Sequence, residues 1–115
     1  MTIDEICGKY NITDYTINED DTVDVYGSVE IMDTKLTELP LQFGSVTRDF
    51  NISNNSLTTL EGSPREVGGN FMCSNNYLTS LEHCPKYIEY DFDCFRNQLT
   101  NIDFLNTAPF LINAG

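Results

Sequence analysis

The chain repeats itself every 21 residues. The pattern V-x-x-x-[FV]-x-[IC]-x-x-[NT]-x-L-T-x-[LI] runs through Val25 to Leu39, Val46 to Leu60, Val67 to Leu81 and Ile88 to Ile102. A fixed period in the twenties predicts a solenoid, in which each turn buries its apolar face only against its neighbours. Columns of equivalent residues then become the units of both stability and recognition. The same feature moves the functional question away from a catalytic pocket and towards an extended binding face.

Val29, Phe50, Phe71 and Phe92 form one apolar column, and Leu36, Leu57, Leu78 and Leu99 another. Each fully buried side chain of this kind contributes roughly 1.5–3 kcal/mol, so stacking can hold the fold without metal or disulfide. Thr34, Asn55, Asn76 and Asn97 form a polar column. A buried amide there is expected to bond the backbone of its own turn and the next. Within a repeat, Phe and Ile two apart lie on one face of a strand, and the V-x-x-x-F-x-I segment reads as one strand. The stretches Leu60 to Glu66 and Leu81 to Tyr87 are too short and too rich in Gly and Pro for a regular helix. Gly68-Gly69 opens a strand with no lysine and no following helix, which favours a tight backbone approach over a phosphate loop.

Thr2-x-x-Glu5 fits a capping box, followed by an apolar helical face of Ile3, Ile6, Cys7 and Tyr10 that Asn11 ends. Tyr15 to Asn18 and Thr22 to Tyr26 alternate as strands around a Glu19-Asp20-Asp21 turn. Residues 1–26 thus read as a helix-plus-hairpin cap, 25–102 as four repeats and 103–115 as a terminal cap or tail, all in one domain. Phe110-Leu111-Ile112 either folds over the last turn or stands out as a peptide for a partner.

The segment VTRDFNISNNSLTTL, Val46 to Leu60, resembles the leucine-rich repeat template L-x-x-L-x-L-x-x-N-x-L-x-x-L. Phe50 and Ile52 fill the strand positions, Asn55 the asparagine position, and Leu57 and Leu60 the following leucines. The first strand valine sits one residue earlier than the template leucine. The run CSNNYLTSLEHCP, Cys73 to Pro85, after a short helix and hairpin, is similar to small bacteriophage leucine-rich-repeat proteins. The expected fold is therefore a β-rich leucine-rich-repeat solenoid with short parallel strands and an irregular, helix-poor convex side. The resemblance implies a viral product that binds a host protein, such as a defence or nucleic-acid enzyme, and inhibits or redirects it.

Charge narrows the partner. The chain has 18 acidic and 6 basic side chains, a net charge of −12. Such a surface repels nucleic acid and anionic membranes and favours basic protein partners. The start lacks a basic n-region and an apolar h-region, and no apolar run approaches membrane-spanning length, so a cytoplasmic location is expected. The four cysteines then read as thiols, with Cys73 and Cys94 in the core and Cys84 exposed. His83-Cys84 has neither a second histidine nor a C-x-x-C pair beside it. No cofactor, metal or catalytic set is therefore assigned, and the chain reads as non-enzymatic.

Residues pointing away from the core form the candidate binding grid. Its columns are Ser28, Asp49, Asn70 and Asp91; Glu30, Asn51, Met72 and Asp93; Met32, Ser53, Ser74 and Phe95; and Asp33, Asn54, Asn75 and Arg96. Met32, Met72 and Phe95 among carboxylates point to a contact patch, because interfaces favour Met and aromatic residues. The partner-binding set is Glu30, Met32, Asp49, Asn51, Asn70, Met72, Asp91, Asp93, Phe95 and Arg96. The alternatives are an acidic nucleic-acid mimic that fills a basic groove, and a structural solenoid that self-assembles through its open ends.

Overall fold

The computed structural model describes residues 1–99 and the backbone of Leu111–Ile112. Helix α1 spans Ile3–Lys9. Its start is fixed by the expected box: the Glu5 N–H donates to Thr2 Oγ1 at 3.1 Å and the Thr2 N–H to Glu5 Oε1 at 2.8 Å. Asn11 leaves the helix in the left-handed region, φ 60°. Cys7 and Ile12 are buried against the first turn of the stack. Strands β1 (Tyr15–Ile17) and β2 (Val23–Val25) pair antiparallel as the hairpin.

From there the chain winds as a β-rich solenoid of parallel strands in two sheets. The first has the order β1-β2-β4-β6-β8-β10, with β4 at Phe43–Val46, β6 at Glu66–Val67, β8 at Tyr87–Ile88 and β10 at Leu111–Ile112. The second contains β3 (Val29–Glu30), β5 (Phe50–Asn51), β7 (Phe71–Met72) and β9 (Phe92–Asp93) in that order. The single strand expected over V-x-x-x-F-x-I is thus two strands with a bend between them. The valine closes one sheet, and the phenylalanine opens the other four residues later. Hydrogen bonds, not apolar spacing, decide this. At the bend, the N–H of Asn70 turns to Asp49 Oδ1 at 2.8 Å, away from the sheet ladders.

The repeat register is exact in the second sheet, where Val29 pairs with Phe50, Phe50 with Phe71 and Phe71 with Phe92. The Phe50 and Phe71 rings stack at 5.6 Å with 5° between planes, and Phe92 tilts by 49°. Val29 is too small to continue the ring column. Phe43 of the first sheet fills the space and meets Phe50 edge-on at 5.1 Å. Leu57, Leu60, Leu78 and Leu81 close the third side of the core and are fully buried. Leu36 and Leu99, at the two ends of their column, are only partly covered.

The fourth repeat is described as far as Leu99, and Thr100 to Ile102 lie outside the described residues, as do Leu105 and Phe110. The C-terminal backbone at Leu111–Ile112 joins the first sheet beside β8, with Leu111 opposite Tyr87. Its offset of 24 residues departs from the repeat.

Candidate functional site

The polar column is the best-satisfied part of the molecule. Asn55 Nδ2 donates to the carbonyls of Ile52 and Ser53 in its own turn and of Ile31 in the preceding one. Its Oδ1 accepts the N–H groups of Thr34 and Leu36 at 3.0 and 3.3 Å. Asn76 repeats the pattern with Ile52, Cys73, Ser74 and Leu57, and Asn97 with Cys73, Cys94, Phe95 and Leu78. The bonded neighbour is the preceding turn, not the next. Thr34 only donates, through its hydroxyl to Asn55 Oδ1 at 2.6 Å. These amides are structural and leave little for a ligand.

The grid divides into residues engaged by the fold and residues left over. Ser28, Asp49 and Asn70 each accept, through a side-chain oxygen, the N–H of the residue one turn on: Asp49, Asn70 and Asp91. Asp49 and Asn70 are therefore half-buried bend caps rather than free contact groups. Asn51 and Asp93 accept the N–H two residues ahead, from Ser53 and Phe95. Asp33, Asn54, Asn75 and Arg96 all sit at φ between 58° and 60°. That left-handed corner explains Asp and Asn in three turns, because both tolerate it, and leaves Arg96 unexplained by the backbone.

Exposure corrects the apolar part of the reading. Phe95 is 76% exposed, but Met32 and Met72 are half-buried, and Ser53 is buried at 7%. Pairing of β3, β5, β7 and β9 brings Glu30, Asn51, Met72 and Asp93 into one row across the second sheet. Phe95 follows that row two residues beyond Asp93. The site thus reduces to an acidic strip with Met72 within it and Phe95 at its C-terminal end. Tyr77 at 53% exposure adds an aromatic at the next corner, above a polar hollow of about 260 Å³ lined by Asn54, Asn55, Asn75 and Asn76. Tyr26, Tyr87 and Tyr90 are exposed as well. Tyr26 and Tyr87 were not anticipated, because their positions depend on where the bend divides the two sheets.

Cys84 differs from its expected exposed state. It is half-buried, and burial pushes its thiol up to about 11. Cys73 is fully buried, which raises its thiol well above the ordinary range, and half-buried Cys94 is also raised by desolvation. Such thiols are poor nucleophiles at neutral pH, because the thiolate is the reactive form. Among the described residues, no three His, Cys, Asp or Glu side chains are placed to hold a metal ion. No described helix is long and apolar enough to cross a membrane. Comparison with protein-family models, curated proteins and solved structures gives no match.

Proposed function

We propose that the chain is a non-enzymatic protein-binding module, a leucine-rich-repeat solenoid of bacteriophage type that captures a host protein and inhibits or redirects it. The observation that carries this reading is Phe95, a large apolar side chain 76% exposed two residues beyond Asp93, at the end of the strip that contains Met72. Folding gains nothing from a phenylalanine left in water. Buried in a partner, the same ring supplies the kind of anchor that dominates interface energies. The carboxylates of Glu30 and Asp93 complement a basic rim on that partner. Charge mimicry of nucleic acid is less well supported, since the strip interrupts its carboxylates, Glu30 and Asp93, with Asn51 and Met72.

The test is affinity capture from a bacterial lysate with the wild-type chain and the Phe95→Ala and Met72→Ala variants as parallel baits. The expected outcome is a protein retained by wild type whose affinity falls by at least about 1 kcal/mol in Phe95→Ala, with modest salt dependence. A partner indifferent to both variants but lost when Asp20, Asp21 and Asp24 are neutralised would move the site to the cap and favour mimicry.

A further inference from the structure

The return loops gather cations that are dispersed in the sequence. Pro64-Arg65 and Pro85-Lys86 occupy equivalent places 21 residues apart. The Lys86 N–H donates to the Arg65 carbonyl at 2.8 Å, which sets the two on neighbouring turns. Both prolines are buried, and both cationic residues line one hollow of about 370 Å³, together with His83 and Ser63. Like charges held on neighbouring turns repel each other. In a chain with 18 carboxylate side chains, a neutralising partner would be easy to supply. Yet the ion pair found among the described residues is His83 with Glu82, at 3.7 Å, and none of the described carboxylates lies within 4.0 Å of Arg65 or Lys86.

Acids stand close to Arg65 without pairing with it: the Thr22 hydrogen bonds and, less strongly, the Arg65 charge hold the Asp20 carboxyl below its ordinary range. Asp20 and Asp24 line an adjoining hollow with Arg65. Asp20 Oδ1 accepts both the N–H and the hydroxyl of Thr22, at 3.1 and 2.6 Å. Asp24 Oδ1 accepts the Ser45 N–H at 3.0 Å. The wall adds a neutral donor. Ser63 Oγ is the one buried side-chain polar atom among the described residues without a hydrogen-bond partner. A buried hydroxyl normally finds an acceptor. Two cations with no ion pair within 4.0 Å among the described residues and an unpartnered hydroxyl therefore line one space, with the exposed residue Glu61 also in its lining and the charge of Asp20 felt by Arg65.

We propose that this hollow binds a phosphate group, free or as the monoester of a small molecule. The donor set fits that chemistry. A guanidinium offers a planar fork to two phosphate oxygens, an ammonium a compact charge and a seryl hydroxyl a further hydrogen bond. The volume lies at the lower end of small-ligand sites, about 300–1,000 Å³, so it has room for a phosphate and a short organic tail. This site is independent of the Phe95 face, and either can fail alone.

The test titrates the isotope-labelled full chain with inorganic phosphate at constant ionic strength, balanced with chloride, and follows the amide signals of Ser63, Arg65, His83 and Lys86 and the Arg65 side-chain N–H. The expected result is saturable shifts confined to these groups. The Arg65→Gln/Lys86→Gln variant should bind at least about tenfold more weakly. Arg48→Gln, outside the hollow, should bind as wild type does. Ser63→Ala removes the donor without changing charge and should weaken binding by a smaller factor. Glycerol phosphate binding more tightly than phosphate would identify a monoester as the ligand, and weaker or equal binding the free anion. Shifts that never saturate, that spread over all basic residues, or that persist unchanged in the double variant would overturn the proposal.

Discussion

At the scale of single residues, the asparagine column carries consequences out of proportion to its size. Asn76 is buried and serves Leu57, Ile52, Cys73 and Ser74 at once. Removing it strands backbone groups of two turns, and each unsatisfied buried group costs about 1–3 kcal/mol. Asn76→Ala should therefore lower stability in urea unfolding by more than about 2 kcal/mol, and a variant as stable as wild type would contradict the ladder. Arg96 should show the opposite sign. It holds φ 58° where three turns use Asp or Asn, so Arg96→Asn should stabilise by about 0.5–1 kcal/mol. The thiols add a pH dependence. An unfolded chain ionises Cys84 near 9.0, whereas burial raises its folded-state value to about 11. The stability it contributes is fully present below pH 9 and is lost as pH rises towards 11. Thermal unfolding followed across that window should decline less steeply in Cys84→Ala than in wild type. Equal slopes would show that Cys84 is not desolvated.

At the scale of elements, the bend between the two strands of each turn is the feature most dependent on close approach. A Cβ on Gly68 would lie 2.3 Å from the Thr47 carbonyl oxygen, and one on Gly69 2.8 Å from the Arg48 carbonyl carbon. Backbone on the neighbouring turn cannot move aside without breaking the ladder. Gly68→Ala should therefore cost about 1–3 kcal/mol, measurable as a lower urea midpoint, and a neutral substitution would mean that the bend is loose. The need for closeness at Gly68-Gly69 was legible in the sequence, and so were the helix cap, the hairpin, the phenylalanine register and the asparagine column. All of these follow from short-range spacing or from the period. The bend itself was not legible, because strand division is set by where N–H groups turn to Asp49 and Asn70, and an apolar pattern does not record that. Phe43 was missed because it lies outside the repeated columns, in space vacated by Val29. The candidate face was only partly legible for the same reason. Phe95 stands exposed as expected, while Met32, Met72 and Ser53 turn into partial or full cover once the sheets twist and close.

At the scale of the whole molecule, stability is a sum of turn and interface terms under a strong electrostatic load. In a solenoid, each turn contacts only its neighbours, so what a column side chain contributes follows how deeply the adjoining turns bury it. Phe71 is fully buried and Phe92 is not. Phe71→Ala should cost about 3–5 kcal/mol and Phe92→Ala clearly less. The charge acts on all turns together. A net charge of −12 is compressed into a stack whose neighbouring strands lie about 4.8 Å apart, well inside the Debye length of about 10 Å at 0.1 M salt. Screening therefore relieves repulsion in the folded state more than in the expanded unfolded chain. It has little attraction to weaken, since the ion pair among the described residues is the exposed His83–Glu82 contact. The urea midpoint should rise as sodium chloride is raised from about 0.02 to 0.5 M, with the m-value unchanged. The acid load is heaviest in residues 1–45, which carry 10 acidic and 2 basic side chains. Neutralising Asp20 and Asp21 should therefore flatten the salt response more than neutralising Asp91 and Asp93, the same number of charges. A midpoint that falls with salt would mean that attraction between surface charges, rather than the stacked core, holds the turns together.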